Sequence, residues 1–304
     1  MNQNKNLIVI AGPTAIGKTA MAIQLAQHFN TVILSADSRQ FYREMSIGTA
    51  KPTPIELAAA QHYFIDSHSI SDPFSVGDFE TQGLELLDHL FKTLNTVILV
   101  GGSGLYIKAI TDGFDNIPSA DEGIREKLNK EFEEKGITHL QEKLKTTDPV
   151  YYNQVDINNP QRIIRALEVF ESTGQPFSSF RKAETNTRPF NTFKIALDMP
   201  RDKLYDRINQ RVDIMMEDGL LDEVKQLAPY RQLNALNTVG YSEIFDYLDG
   251  KITLDKAVDL IKQNTRRFAK RQLTWFRKNK DFHWFEVNES LYKNLVDYLL
   301  DQLK

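Results

Sequence analysis

Gly12-Pro13-Thr14-Ala15-Ile16-Gly17-Lys18-Thr19 stands between the apolar run Leu7–Ile10 and the helical pattern Ala20–Ala26. The octapeptide fits G-x-x-x-x-G-K-[ST], a phosphate-binding loop. A strand that feeds a glycine-rich turn and then a helix aims backbone N–H groups, and the positive end of the helix dipole, at one spot. Lys18 reaches the outer phosphates of a ligand there, and the Thr19 hydroxyl is placed to ligate a metal such as Mg²⁺. A chance match in an ordinary strand–helix turn would not require both flanks to be correct. The loop predicts a phosphorylated ligand without saying which.

Working outward, two further apolar runs, Thr31–Leu34 and Thr96–Val100, alternate with helical stretches. That rhythm belongs to a parallel sheet flanked by helices. The third strand runs into Gly101-Gly102-Ser103-Gly104 and a helix at Leu105–Ile110, and a fourth strand, Phe193–Leu197, comes much later. The intervening block is helical in pattern, notably over Asp121–Lys145 and Pro160–Ser172. The expected organisation is therefore an α/β core of the phosphate-loop NTPase type over residues 1–113 and 191–304. An all-helical insertion over 114–190 interrupts it, and a helix over Arg201–Glu217 resumes the core.

Composition narrows the class. The 304 residues are 41% hydrophobic and 26% charged, with a net charge of −4, as in a soluble globular protein. No apolar run approaches the roughly 20 residues that span a bilayer, and the first residues lead straight into the first strand without a signal peptide. The absence of cysteine excludes disulfides, thiol catalysis and a cysteine-held zinc. Six scattered histidines lack metal-ligand spacing.

The average charge hides an asymmetry. Lys262–Lys280 holds eight Lys or Arg residues and no acid, interleaved with Phe268, Trp275 and Phe276. On a helix Arg266, Lys270 and Arg277 share a face, with Arg267 and Arg271 beside it. A one-signed face suggests a polyanion partner, whereas the aromatics alone would suit a buried side.

Among phosphate-loop proteins, a motor or transporter needs an acidic residue at the end of a core strand. Val97–Val100 ends instead in glycine, and no N-K-x-D motif points to guanine. The acid just beyond a core strand is Asp37, in Leu34-Ser35-Ala36-Asp37-Ser38-Arg39-Gln40. Residues past the carboxyl ends of parallel strands face the ligand crevice, so Asp37 should lie near the phosphate loop. Its alternative use is as a turn or cap residue. One carboxylate beside a phosphate loop suits small-molecule phosphotransfer, and equally a nucleophile that loses a proton while a phosphate group leaves. Arg207 and Arg211, at i and i+4, suit either as phosphate clamps, or else pair with surface acids.

Several motifs in order carry a resemblance. They are the loop at 12–19, Ser35–Gln40 with Tyr42, Ile47-Gly48-Thr49-Ala50-Lys51-Pro52, His62-Tyr63 with Asp66, and Gly101–Tyr106. Asn159–Glu168, Val239-Gly240-Tyr241 and Ala269–Trp275 complete the series. Over essentially its whole length the chain resembles the bacterial tRNA isopentenyltransferase, or tRNA dimethylallyltransferase, family. It departs at Ser103, where the family usually has Thr, and at Ser242, where a basic residue is common. Without cysteine it lacks the zinc finger of eukaryotic relatives.

The resemblance implies transfer of a dimethylallyl group from its diphosphate to the exocyclic amine of the adenosine 3′ of the anticodon, in tRNAs reading codons that begin with U. Asp37 becomes the general base, and Ser103 and Arg211 stabilise the leaving pyrophosphate. Gly12, Pro13, Thr14, Ala15, Ile16, Gly17, Lys18 and Thr19 hold the diphosphate, with Mg²⁺ on Thr19. The loop thus holds a leaving group, and ATP need not bind it productively. Asp37, Ser38, Arg39, Gln40, Ser103, Arg125, Gln161, Arg162, Ile163, Ile164 and Arg165 are implied to meet tRNA. The implied partners are tRNA and dimethylallyl diphosphate; the chain is expected to act as a monomer and without a membrane, and its composition makes it an expected cytoplasmic enzyme. A small-molecule kinase and a nucleotide-dependent binding protein are the competing expectations.

Overall fold

A computed structural model of the chain describes residues 5–115, 117–118, 122–181 and 187–303. Asp121, the expected start of the long insertion helix, lies outside them. Two compact units emerge, Met1–Thr111 with Arg188–Lys304, and Asp112–Thr187.

The chain opens with β1 (Asn6–Ala11), α1 (Lys18–His28), β2 (Ile33–Ser35), α2 (Pro54–Ala59), β3 (His62–Tyr63) and α3 (Val76–Leu90). Next come β4 (Thr96–Gly101), α4 (Gly104–Thr111), α5 (Glu122–Thr147), α6 (Pro149–Tyr152) and α7 (Pro160–Thr173). The last part runs β5 (Asn191–Asp198), α8 (Arg201–Glu217), α9 (Leu220–Leu227), α10 (Tyr241–Leu248), α11 (Leu254–Lys278), β6 (His283–Glu286) and α12 (Leu291–Gln302).

The six strands form one parallel sheet in the order β3-β2-β4-β1-β5-β6. Every residue of β1 and β4 is buried, which explains their unbroken apolar sequence: both faces are covered. Ile8, Ile10, Ile98, Val100, Ile195 and Leu197 pack on one face with α1, α8 and α12. Their neighbours Leu7, Val9, Val97, Leu99 and Ala196 pack on the other with α3 and α4. The alternation of a pleated strand thus feeds two cores. Because the sheet is parallel, the segments after β1, β2 and β4 all leave from the same edge, where a ligand crevice belongs.

The four expected strands are present within a residue or two of their expected ends. The edge strands β3 and β6 were not foreseen, since neither carries an apolar run. In the second unit Leu128, Leu140, Leu144, Ile163, Ile164 and Leu167 make a separate core. There α5 is broken at Gly136, whose φ of 74° leaves the helical region, so the expected single helix is two joined at a glycine.

Candidate active site

The loop between β1 and α1 curls over the start of the helix, with Gly12 and Gly17 at positive φ. A Cβ on Gly12 would sit 3.1 Å from the Leu197 carbonyl oxygen of β5, so glycine there allows the close backbone approach. Ala15 also takes a left-handed φ of 64° without being glycine. Lys18 folds back and donates to the Pro13 carbonyl at 2.8 Å.

The loop forms one wall of a cleft of about 340 Å³ whose lining includes Lys18, Thr19, Asp37, Gln40, Gly101, Gly102, Arg207 and Arg211. Residues from three successive strand ends and from α8 therefore meet in one space. Lys18 has its pKa lowered to about 7, first by burial and then by the charge of Arg211, while Asp37 pulls it upward. Burial, and then the charge of Arg207, lower the pKa of Arg211 as well. The cleft is a desolvated cationic pocket, and a bound polyanion would relieve that electrostatic cost.

Sequence spacing did not separate Arg207 from Arg211, and the structure brings both to the loop. Arg211 Nη1 lies 3.5 Å from the Thr14 hydroxyl, and Arg207 Nη2 lies 3.5 Å from where a Gly17 Cβ would be. Asp37 both closes a turn and stands near the phosphate loop. Its Oδ1 accepts from the Arg39 and Gln40 amides at 2.9 and 3.3 Å, closing a turn, and the residue still lines the cleft. The Ser103 hydroxyl accepts from the Ser38 amide at 3.1 Å and so ties the Asp37 loop to the glycine turn. Gln40 is also held inward, donating to the Thr49 and Ala50 carbonyls at 3.2 and 3.0 Å.

The helical unit arranges the other expected contact residues. Arg125 lies 3.3 Å and Arg165 3.5 Å from the carboxylate of buried Glu168, and Arg125 also donates to Gln161 at 3.0 Å. Arg162 is exposed on the same helix. Ile163 and Ile164 are fully buried, so their side chains serve that unit's core.

On α11, Phe276 is buried, whereas Phe268 and Trp275 are 39% and 43% exposed. The run of cations is partly committed: Arg266 donates to Asn209 at 2.6 Å and Arg277 to Asp198 at 2.7 Å. Arg267, Lys270 and Arg271 remain on the exposed side.

Two residues escaped sequence reading. Gln272, buried on α11, accepts from the Thr14 amide and donates to the Gly102 carbonyl, both at 2.9 Å. Glu223 of α9 accepts from the amides of Ser46, Ile47 and Gly48 at 2.9, 2.7 and 3.0 Å. Both act on backbone far away in sequence, and the only available signal was that Gln272 falls within the run Ala269–Trp275. No group of three or more His, Cys, Asp or Glu is placed to hold a metal among the described residues.

The sequence model of the IPP transferase family matches residues 40–279. This chain belongs to that family. The phosphate loop lies before the matched segment, but full-length relatives cover it. A tRNA dimethylallyltransferase of Christiangramia forsetii is 54% identical over 293 residues, covering 96% of this chain and 97% of the relative. One from Flavobacterium johnsoniae is 49% identical, with 99% of each covered. Among solved structures, the full-length tRNA isopentenylpyrophosphate transferase of Bacillus halodurans aligns with a TM-score of 0.73 at 39% identity. That alignment covers 98% of this chain and 97% of the other. A eukaryotic dimethylallyltransferase acting on tRNA aligns with a TM-score of 0.81 at 25% identity, covering 98% of this chain and 79% of the other.

Proposed function

We propose that this member of the IPP transferase family transfers a dimethylallyl group from dimethylallyl diphosphate to the exocyclic amine of the adenosine 3′ of the anticodon, in tRNAs reading codons that begin with U. The observation that carries the reading is one cleft in which Asp37 shares walls with a phosphate loop and two arginines; the other carboxylate lining it, Glu56, accepts from the Thr53 amide and hydroxyl in capping α2. The amine lone pair is delocalised into the purine ring, so the nucleophile is poor. As its nitrogen bonds to the allylic carbon, the C–O bond to the diphosphate breaks and the electron pair leaves on pyrophosphate. Asp37 accepts the proton released from nitrogen.

Lys18, Arg207, Arg211 and the loop amides face the charge that grows on the leaving group, in a site already partly stripped of water. Arg211 is the preferred of the two arginines because it also meets Thr14 of the loop. The donors present suit Mg²⁺ held mainly by diphosphate oxygens and water, with the Thr19 hydroxyl lining the same cleft. When bound, such an ion adds positive charge against the leaving pyrophosphate.

An anticodon-loop base reaches a cleft by leaving its stack, which costs little in a single-stranded loop. Exposed Arg267, Lys270 and Arg271 suit the RNA backbone, and Arg125, Arg162 and Arg165 form a second basic group on the helical unit. All the catalytic groups named come from one chain, so the reading needs only a monomer, working in the cytoplasm where tRNA is modified. No helix among the described residues is long and apolar enough to cross a membrane.

The test incubates unmodified tRNA with the protein, Mg²⁺ and dimethylallyl diphosphate, with an ATP-only control, and analyses the nucleosides by mass. A dimethylallyl adduct on that one adenosine, formed without ATP, is the expected result. ATP turnover on small molecules with no adduct would return the case to a kinase.

A further inference from the structure

We propose that Gln272 is a positioning residue: it latches the phosphate loop to the glycine turn after β4 and so keeps the loop shaped for a diphosphate. This deepens the prenyl-transfer reading and rests on it. The amide of Gln272 joins the phosphate loop to the glycine turn just beyond the point where the β1–β4 ladder ends at Ala11 and Gly101. Its Oε1 takes the Thr14 N–H and its Nε2 gives to the Gly102 oxygen, both at 2.9 Å. The residue is 7% exposed, and its bond to the Gly102 carbonyl is buried away from water.

The latch sits where the loop most needs holding. Ala15, next to Thr14, is in the left-handed region, which is sterically costly for a residue with a Cβ. Such a conformation persists only when its surroundings over-determine it. Thr14 is met from both sides, its amide by Gln272 and its hydroxyl by Arg211 at 3.5 Å. The Thr14 N–H is thereby taken out of the set of amides available to a ligand, leaving those from Ala15 onward to face the phosphates.

The glycine turn is built to admit the latch. A Cβ on Gly102 would lie 2.3 Å from Gln272 Nε2, and one on Gly104 would lie 2.1 Å from Trp275 Nε1. Gln272 and Trp275 sit three residues apart on one side of α11, so the helix is keyed into the space two missing side chains leave. The helix that presents Arg267, Lys270 and Arg271 to solvent therefore also forms a wall of the cleft, which Phe268 and Gln272 line.

The test uses the full chain, inorganic pyrophosphate as probe, and three variants. Gln272→Met keeps length and removes both bonds. Gly102→Ala keeps Gln272 and displaces its amide. Lys18→Ala serves as the control for the diphosphate reading. Expected for Gln272→Met and Gly102→Ala is a loss of pyrophosphate affinity of about tenfold, the effect of a buried amide left unpaired. The KM for the prenyl diphosphate should rise in step, with kcat and tRNA affinity largely kept. Wild-type pyrophosphate affinity in both variants overturns the latch. So does a loss no larger than the fraction each variant has melted at the assay temperature, or a fall confined to kcat. Wild-type protein that ignores pyrophosphate, or Lys18→Ala that binds it equally well, sinks the diphosphate reading itself and the latch with it.

Discussion

Tyr241 donates its hydroxyl to Glu223 at 2.6 Å, and that carboxylate also collects the backbone amides of Ser46, Ile47 and Gly48. The tyrosine ring occupies the space above Gly48, where a Cβ would fall 2.5 Å from it. The segment Ile47–Pro52, a family motif read from sequence, is thus held by two residues from distant helices. Thr49, Ala50, Lys51 and Pro52 of that segment line the cleft that also holds Lys18 and Asp37.

Removing the carboxylate by Glu223→Ala leaves three amides and a phenol without their acceptor. The expected cost is about 2 kcal/mol, seen as a fall of roughly 4–8 °C in the thermal midpoint. The midpoint of Tyr241→Phe should fall less, because the three amides keep their partner. Equal midpoints for wild type and Glu223→Ala would show that the segment is held by other contacts.

Asp37→Asn separates the two uses of that side chain. The amide oxygen can still accept from Arg39 and Gln40, so the turn survives, while the proposed proton acceptor is gone. Prenyl transfer should drop by about 10²–10⁴-fold with pyrophosphate and tRNA affinities close to wild type. A parallel loss of tRNA binding would instead make Asp37 a contact residue.

Lys18 predicts a pH signature. Its pKa in the empty cleft, about 7, lies well below its usual 10.5, and a bound diphosphate favours the charged form. Below pH 7 the lysine is already protonated, and binding draws no proton through it. Above pH 7 binding must take one up, so pyrophosphate affinity should weaken with rising pH, by up to about tenfold per unit from this group. Calorimetry in buffers of differing ionisation enthalpy would detect that uptake at pH 8. A pH-independent affinity between 7 and 9 would refute the assignment.

The cations of α11 divide by partner. Lys270→Ala should weaken tRNA binding across all sequences and reduce the slope of log affinity against log salt by about one. Arg266→Ala removes a side chain bonded to Asn209, and its effect should appear as lost stability with an unchanged salt slope. Filter binding at several salt concentrations distinguishes the two.

The core was legible because its strands are covered on both faces: Leu7–Ile10 and Thr96–Val100 could hardly be anything else. The edges were not. β3 is two residues and β6 four, with no fully buried residue in either, so neither writes a pattern. The phosphate loop and Asp37 were legible because their chemistry depends on residue type at short spacing. Gln272 and Glu223 were hidden because they serve backbone atoms 258 and up to 177 residues away, and a backbone amide leaves no mark in sequence. The basic run disclosed its charge but not its division between partnered and solvent-facing cations. Its aromatics followed neither simple expectation, with Phe276 inside and Phe268 and Trp275 at the surface.

β1 has its neighbours from opposite parts of the chain, β4 before the helical unit and β5 after it, and Gln272 comes later still. The phosphate-loop sequence is therefore synthesised before β5, and before α8 and α11, which complete the cleft around it. On the proposed reading, a nascent chain gains its full affinity for the diphosphate only once α11 has been made.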